Sequence, residues 1–453
     1  MDEKTRRLGE EKVSNLLWQF SLPSIVGTLA SSAYVIIDRV FVGQVVGADA
    51  IAGMSVTMPI SFVLMAFGML VGIGSGALIS IRLGEGKREE AESILGNAFS
   101  LVLIIAVVVS SLFLLFLNQV LTLFGASPAI LPYARQFIGI VLLGSVFQYI
   151  SFGLSSVIRA EGNPRMAMYV VLINAGINII LDFVFIFFLG WQVRGAAIAT
   201  IISQAISGSI VLWHFRSSRS VLRLRLKNMK IKPEIIRGII SIGMAPFAMQ
   251  LAASIVNTLF NQDLARYGGD AAIGAYGVIN AIIVFLVMPV IGINMGAQPI
   301  IGYNYGARRY DRVLETLKDA IIAGTLITSA GFIIMELFPR HLVGFFTRDA
   351  QLLSIGTHGM RIIVAMLPVV GFQIISGNFF QAIGKARKAL ILTLLRQVIV
   401  LIPALIILPR FFQLNGVWFA GPVADGIATL ITLIVLLPEV RSLKSRWRDV
   451  AEE

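Results

Sequence analysis

The chain has no cysteine and only three histidines, His214, His341 and His358, far apart in sequence. Disulfides, thiolate metal sites and cysteine nucleophiles are therefore excluded, and a histidine metal site has no cluster to build on. Charge is scarce as well. Asp, Glu, Lys and Arg make up 14% of the 453 residues, against about 25% in a typical soluble domain. Hydrophobic residues make up 57%. That balance excludes an ordinary cytosolic enzyme, a nucleic-acid-binding domain and a disordered chain. The charge that remains leans one way: 37 Lys and Arg against 25 Asp and Glu leave a formal +12. In a soluble protein this would point to nucleic acid. In a membrane protein it points to basic cytoplasmic loops, and the distribution decides between them.

The opening MDEKTRRLGEEKVSN lacks the short apolar run and small-residue cleavage site of a secretory signal. After it, apolar stretches recur, long enough to cross a hydrocarbon core of about 30 Å. Twelve spans are predicted, over 16–43, 51–81, 93–117, 132–158, 166–189, 195–215, 235–262, 272–302, 319–338, 357–382, 389–409 and 416–438. Each is expected to be a helix, because lipid offers no partner for open backbone groups. With the N-terminus inside, the cytoplasmic loops and tails hold 28 Lys and Arg, and the outer loops hold five, Arg194, Arg266, Arg340, Arg348 and Arg410. Arg39, Arg135, Arg361 and Arg396 fall in or at the edges of spans. The asymmetry fits the positive-inside rule and predicts both termini in the cytoplasm. The basic excess is thus topological, with no nucleic-acid partner implied.

The expected organisation is a cytoplasmic segment 1–15, an N-lobe 16–215 with spans one to six, a basic linker 216–233, a C-lobe 234–438 with spans seven to twelve, and a cytoplasmic tail 439–453. Within the linker, VLRLRL reads either as an interfacial, strand-like segment on anionic headgroups or as a plain basic connection that fixes orientation.

The two halves align on each other. GADAIAGMSV (47–56) matches GDAAIGAYGV (269–278), and RAEGNPR (159–165) matches QAIGKAR (381–387), both at an offset of 222. Gly84 falls on Gly306 at 222, QVRGAAIA (192–199) on QLNGVWFA (413–420) at 221, and Pro23 on Pro246 at 223. Each copy has six spans, an even number, so both start in the cytoplasm and a pseudo-two-fold axis along the membrane normal is predicted. Two such bundles suit alternating access. A simple channel would instead show a pore loop in a symmetric oligomer. No nucleotide loop, zinc motif or acid–histidine pairing supports an enzyme. GIGSG at 72–76 lies inside an apolar span and reads as close helix packing. Pro23, Pro59, Pro246 and Pro289 lie in or near the starts of long spans, where they can bend a helix either permanently or as part of gating.

Ionisable groups inside lipid are costly and hence candidates for function. Asp38, Asp182, Glu336 and Asp425 are the acids in the interior of spans. Glu336, close to Pro339, is expected to reach the interface. Asp38 on span one and Asp182 on span five lie at a similar predicted depth in the outer half, as does Thr200 on span six. Asn174, Asn178 and Asp182 follow at i, i+4 and i+8 and share one helix face, and Ser31, Tyr34 and Asp38 share a face of span one. Arg39 is expected to snorkel outward rather than pair with Asp38. Oxygen ligands suit hard cations, and carboxylates withdrawn from water take up protons more readily. The cluster therefore suits H⁺ or Na⁺, with no other cofactor or metal. At the repeat offset Asp38 falls on Phe260, so the acid pair is confined to one half. Asp425, opposite Gln204, is a candidate second ionic site or else a partner of Arg361 or Arg396. The other half offers Gln250, Asn257, Asn261, Gln373 and Asn378, which with Phe285, Met249 and Met288 could line an adaptable cavity.

These features together resemble the multidrug and toxic compound extrusion (MATE) family over essentially the whole chain. The resemblance rests on YVIIDRVFVG in span one, LGEGKREEA and YGARRYDR after spans two and eight, RAEGNP after span four, NIILDFVFI in span five and GAAIAT opening span six. It is strongest to prokaryotic members with the acidic site in the N-lobe. It implies an all-α, V-shaped fold of two six-helix bundles, in the cytoplasmic (inner) membrane of a prokaryote and monomeric. It implies export of drugs or toxic organic cations, driven by inward H⁺ or Na⁺. By position, Asp38, Asn178, Asp182 and Thr200 match the family's cation site, and Ala196 would add a backbone carbonyl. Ser31, Tyr34, Asn174 and Gln204 would face the substrate path beside it. Where other branches carry acids on spans seven and ten, this chain has Asn257, Asn261 and Gln373. A flippase for a lipid-linked precursor is the rival reading, disfavoured by the few arginines near spans. A twelve-helix metabolite transporter of another superfamily would need an inverted three-plus-three repeat that the sequence does not show.

Overall fold

Apolar runs of this length can satisfy their backbone groups in lipid only as helices. The computed structural model describes residues 3–452, without the side chains of residues 3–5, 39, 48 and 450–452. Among the described residues it contains helices and turns and no strand. In chain order these are α1 (Glu3–Glu10), α2 (Val13–Val45), α3 (Ala48–Val56), α4 (Met58–Gly84), α5 (Arg88–Leu115), α6 (Leu117–Leu123), α7 (Leu131–Ala160), α8 (Pro164–Asp182), α9 (Gln192–Arg216), α10 (Pro233–Gly306), α11 (Tyr310–Leu337), α12 (Pro339–Gly344), α13 (Ala350–Ile363), α14 (Leu367–Ala382), α15 (Ala386–Leu394) and α16 (Ile402–Glu452). Two segments are π-helical, Phe183–Phe188 after α8 and Leu395–Leu401 after α15.

Ten helical stretches among the described residues are long and apolar enough to cross a membrane. The fold is therefore all-α and polytopic. Two of these stretches are too long for a single crossing. The 74 residues of α10, as one straight rod, would measure about 110 Å. Gly269 (φ 66, ψ −165) interrupts α10, and Gln413 (φ 50, ψ −130) interrupts α16.

The repeat is visible in the backbone. Left-handed φ values pair across the two copies: Gly47 with Gly269, Gly86 with Arg308, Gly162 with Gly384, and Gln192 with Gln413. A glutamine at φ 50 is uncommon and costs free energy. Finding it at both equivalent corners shows that the corner geometry was kept when the residues around it diverged. The cores correspond too. One cluster holds Val42, Ala50, Met54, Ile186, Val193 and Ala196. The other holds Leu264, Ala272 and Val417 at the positions of Val42, Ala50 and Ala196, with Tyr276 and Leu414, at those of Met54 and Val193, packed against it.

The chain divides into two compact units. The first holds α1 and residues 26–250, and the second holds residues 11–25 and 251 onward. In the first, α10 begins against α4: a Cβ on Gly243 would collide with the Leu70 carbonyl, and one on Gly74 with the Ile239 carbonyl. In the second, a Cβ on Gly296 would lie 2.7 Å from the Ser21 amide nitrogen. Small residues let backbones approach closely where apolar side chains gain nothing by leaving lipid.

The basic connection before α10 is neither a strand nor loose. It carries a 3-10 turn, Leu226–Met229, and folds onto the first unit. Val221 and Leu222 are buried. Glu161, itself fully buried, accepts hydrogen bonds from the Ser220 hydroxyl (2.7 Å) and from the Val221 and Leu222 amides (3.0 and 3.2 Å), and it also contacts His214. Asn97 accepts from the Lys232 amide at 2.7 Å, and Ser100 donates to the Met229 carbonyl at 2.7 Å.

Candidate functional site

The first unit brings three helices together just beyond the predicted polar cluster. Val42 of α2, Ile186 of the first π segment and Ala196 of α9 share one buried apolar core. Asp38 lies one turn before Val42, Asp182 one turn before Ile186, and Thr200 one turn after Ala196. Since i and i+4 share a helix face, the three polar residues occupy the next layer.

Asp182 is the last α-helical residue before the π segment. Such bulges rearrange the backbone ladder and recur at functional sites. Asp182 is completely buried, Asn178 is 1% exposed and Asp38 is 8% exposed. Neither oxygen of Asp182 and neither end of the Asn178 amide has a hydrogen-bond partner among the described residues. Buried polar groups are nearly always paired, so a carboxylate and an amide left open side by side point to a missing ligand. Asp38 lies close enough to Asp182 for their charges to interact, and the half-buried Tyr34 lies close enough to feel both. The Thr200 hydroxyl donates to the Ala196 carbonyl at 2.9 Å. Asn174 accepts from Ser207 at 3.4 Å, and the buried Gln204 has no partner for its amide oxygen. Ser31 is half-buried on α2. The side chain of Arg39 lies outside the described ones.

The remaining candidates are not assembled in this way. Gln250 is half-buried, Asn257, Asn261 and Phe285 are exposed, and Met249 and Met288 are at least partly so. Gln373 is buried with its amide oxygen unpaired, and Asn378 donates to the Ile374 carbonyl at 3.0 Å within its own helix. No hydrogen bond among the described residues joins any two of these amides.

Asp425 needs a correction. It is buried, and Arg396 of the second π segment donates to it at 2.5 Å. A carboxylate already neutralised by a guanidinium is not a second open ionic site. Of the two readings left by the sequence, the structure selects the partnership with Arg396. Glu336 lies 3.8 Å from Arg361 and is partly exposed, as its position near a helix end implied.

Glu161, Glu92 and Glu439 are buried acids that hydropathy alone passed over. All three sit near the ends of spans among basic residues, which hides them from a search for acids inside apolar runs. The signal at Glu161 was its place in RAEGNPR, between two helices and next to the left-handed Gly162.

A duplicated, all-helical membrane fold that buries two acids together in one copy, with no hydrogen-bond partner for Asp182 among the described residues, is that of a membrane transporter. A family model, MatE, matches residues 23–184 and again residues 246–406. The chain belongs to the MatE family. The second match begins 223 residues after the first, which is the repeat read from the sequence. The multidrug export protein MepA of Staphylococcus haemolyticus (strain JCSC1435) is 30% identical over 447 residues, covering 98% of this chain and 97% of that protein. MepA of Staphylococcus aureus (strain N315) is 29% identical, covering 96% of each. Among solved structures, the MATE multidrug transporter DinF-BH in complex with R6G matches with a TM-score of 0.90 and 36% identity, over 96% of this chain and 98% of that one. A MATE protein in a bent conformation matches at a TM-score of 0.93 with 22% identity, over 99% and 100%, and shows the shared fold.

Proposed function

We propose that this protein exports cationic or amphipathic drugs in exchange for inward H⁺ or Na⁺, by alternating access. The observation that carries the reading is the buried Asp182 carboxylate beside Asp38, with no hydrogen-bond partner of its own among the described residues. A full charge in apolar surroundings costs several kcal/mol unless it is neutralised, roughly. A proton or a sodium ion supplies that neutralisation. Asn178, Thr200 and the Ala196 carbonyl are the further oxygen donors for the ion. The names of the MepA relatives and of DinF-BH support drug export as the task.

In this reading the cation enters from outside and neutralises Asp38 and Asp182. The site then holds a cationic drug less tightly, and drug leaves outward. Return of the cation to the cytoplasm restores the negative site. The ion moves the equilibrium only through its different affinity for the two states. Ser31, Tyr34, Asn174 and Gln204 are the candidate drug contacts beside the acids, and Gln250, Asn257, Asn261, Phe285, Gln373 and Asn378 are further candidate drug contacts. Twelve crossings follow if Gly269 and Gln413 each separate two spans. The lobes are then 16–215 and 234–438, with both termini and the linker in the cytoplasm of a prokaryotic cell, and the working unit is the monomer.

The test is drug susceptibility of cells making wild-type or Asp38→Asn protein, with membrane insertion checked. Wild type protects and the variant does not. Full protection by the variant overturns the proposal. Proteoliposomes with Na⁺ and pH gradients varied separately identify the coupling ion.

A further inference from the structure

Away from the acid site, the first unit carries a groove of about 640 Å³ along α7. From α7 it is lined by Leu131, Arg135, Gly139 and Leu143, at successive four-residue steps, and by their neighbours Pro132, Gln136 and Ile140. Arg194 at the start of α9 and Asn118 of α6 complete it. The groove is polar at one end and apolar at the other. Gly139 lies in its floor, where an added Cβ would meet the Leu117 side chain at 3.5 Å, and Leu143 is 72% exposed at the apolar end. From Arg135 to Leu143 the helix rises about 12 Å.

The polar end is poised for an anion. Neither arginine has an ion-pair or hydrogen-bond partner among the described residues. Arg194 stands in the first turn of α9 and Arg135 at the start of the second turn of α7, and the N-terminal amides of these helices add partial positive charge. The residues at those N-caps, Ile130 and Trp191, carry no capping oxygen. The other half lacks the two arginines and the glycine, although Leu353 and Ile362 stand where Leu131 and Ile140 do. At the repeat offset Arg135 becomes Thr357, and Gly139 becomes Arg361, which lies beside Glu336. Arg194 becomes Asn415, whose side-chain oxygen is taken by His358 at 2.9 Å.

We propose that this groove binds one anionic phospholipid, with the phosphodiester between Arg135 and Arg194 and an acyl chain along Gly139, Ile140 and Leu143. An anion with an apolar tail fits both ends of the groove, and the bilayer supplies it. The inference needs only that the chain spans a membrane and stands apart from the drug-export reading.

The test uses the purified full-length protein in detergent, titrated with phosphatidylglycerol or phosphatidylcholine, with bound lipid counted by native mass spectrometry. Wild type retains one phosphatidylglycerol in preference to phosphatidylcholine. The Arg135→Gln/Arg194→Gln double variant retains it roughly tenfold less well. Gly139→Leu, which fills the floor and keeps both charges, also weakens retention, and circular dichroism confirms that both variants are folded. Added glycerol 3-phosphate leaves retention unchanged. Equal retention by the double variant overturns the site. Displacement of the lipid by glycerol 3-phosphate overturns the lipid assignment in favour of a free phosphate ester.

Discussion

In the N-terminal half, Asp38 and Asp182 are buried together and Asp182 has no hydrogen-bond partner among the described residues. At the repeat offset the C-terminal half has Phe260 and Ala404 there. It carries its buried charge elsewhere, as Arg396 and Asp425, at the positions of Asn174 and Gln204 in the first copy. One half has exchanged two neutral polar residues for an ion pair and two acids for apolar packing. Its Phe260 stacks on Tyr276 with ring centroids 4.9 Å apart, in the core that also holds Trp418. A self-neutralised pair needs no ligand and stays closed. In the proposed reading, the acid pair of the first copy is completed by a bound cation. Duplication supplied one scaffold, and divergence left the acid pair in one copy and an ion pair in the other.

The contrast can be broken most severely at the open acid. Asp182→Asn is expected to lower coupled transport in proteoliposomes to background while leaving insertion intact. Transport at the wild-type rate would show that the acid pair is not where the ion acts. The closed pair should behave in the opposite way. Arg396→Ala strands a buried carboxylate and is expected to cost about 3–5 kcal/mol of stability, read as thermal unfolding in detergent. The Arg396→Ala/Asp425→Ala double variant should recover most of that loss. If the single variant melts like wild type, the pair does not brace its half.

Next in size are the close helix contacts. Gly243→Leu drives a side chain into the Leu70 backbone, and Gly296→Leu drives one into Phe20 and Ser21. Each is expected to cost about 1–3 kcal/mol or more. Similar losses would show that the two copies rely on this contact alike, and a large difference would show that one copy has outgrown it.

The smallest effect lies at the membrane surface. Burial works to raise the Glu439 carboxyl, but the hydrogen bonds and charges of Lys385 and Lys388 outweigh it and hold the group below its ordinary 4.5. A depressed carboxyl adds stability above its unfolded value and loses it as pH falls through the native one. Glu439→Gln should therefore melt slightly earlier than wild type at neutral pH. The two curves should converge on acidification below 4.5. A gap that persists in acid would assign the effect to packing.

The repeat and the apolar helices were legible because each has a local signature, and the candidate acids stood out for the same reason. Hydropathy marks spans, and aspartates in apolar runs are rare enough to be seen singly. The fold around α3 and α4 was less so: one predicted span, 51–81, contains a break at Thr57, whose hydroxyl bonds the Met54 carbonyl at 2.6 Å. The pairing of Asp425 was not decidable, because Arg361 and Arg396 lie in different helices and only packing chooses between them. The clamp at Glu161 was hidden for the same reason. Its partners stand some 60 residues downstream, in a segment whose charge suggested a solvated connection. The π segments leave no hydropathy trace, since both are as apolar as the helices they extend.

The boundaries of the compact units fall after residues 25 and 250, inside α2 and α10, while the basic connection lies wholly within the first unit. A gene cut in that connection would encode two fragments, each lacking a helical stretch that its own unit needs. The amino-terminal fragment would lack the start of α10, and the carboxy-terminal one would lack residues 11–25. Neither fragment should be stable when made alone. Made together in one cell, each would carry the other's missing piece, so the obvious place to split this chain is one where the products survive only as a complementing pair.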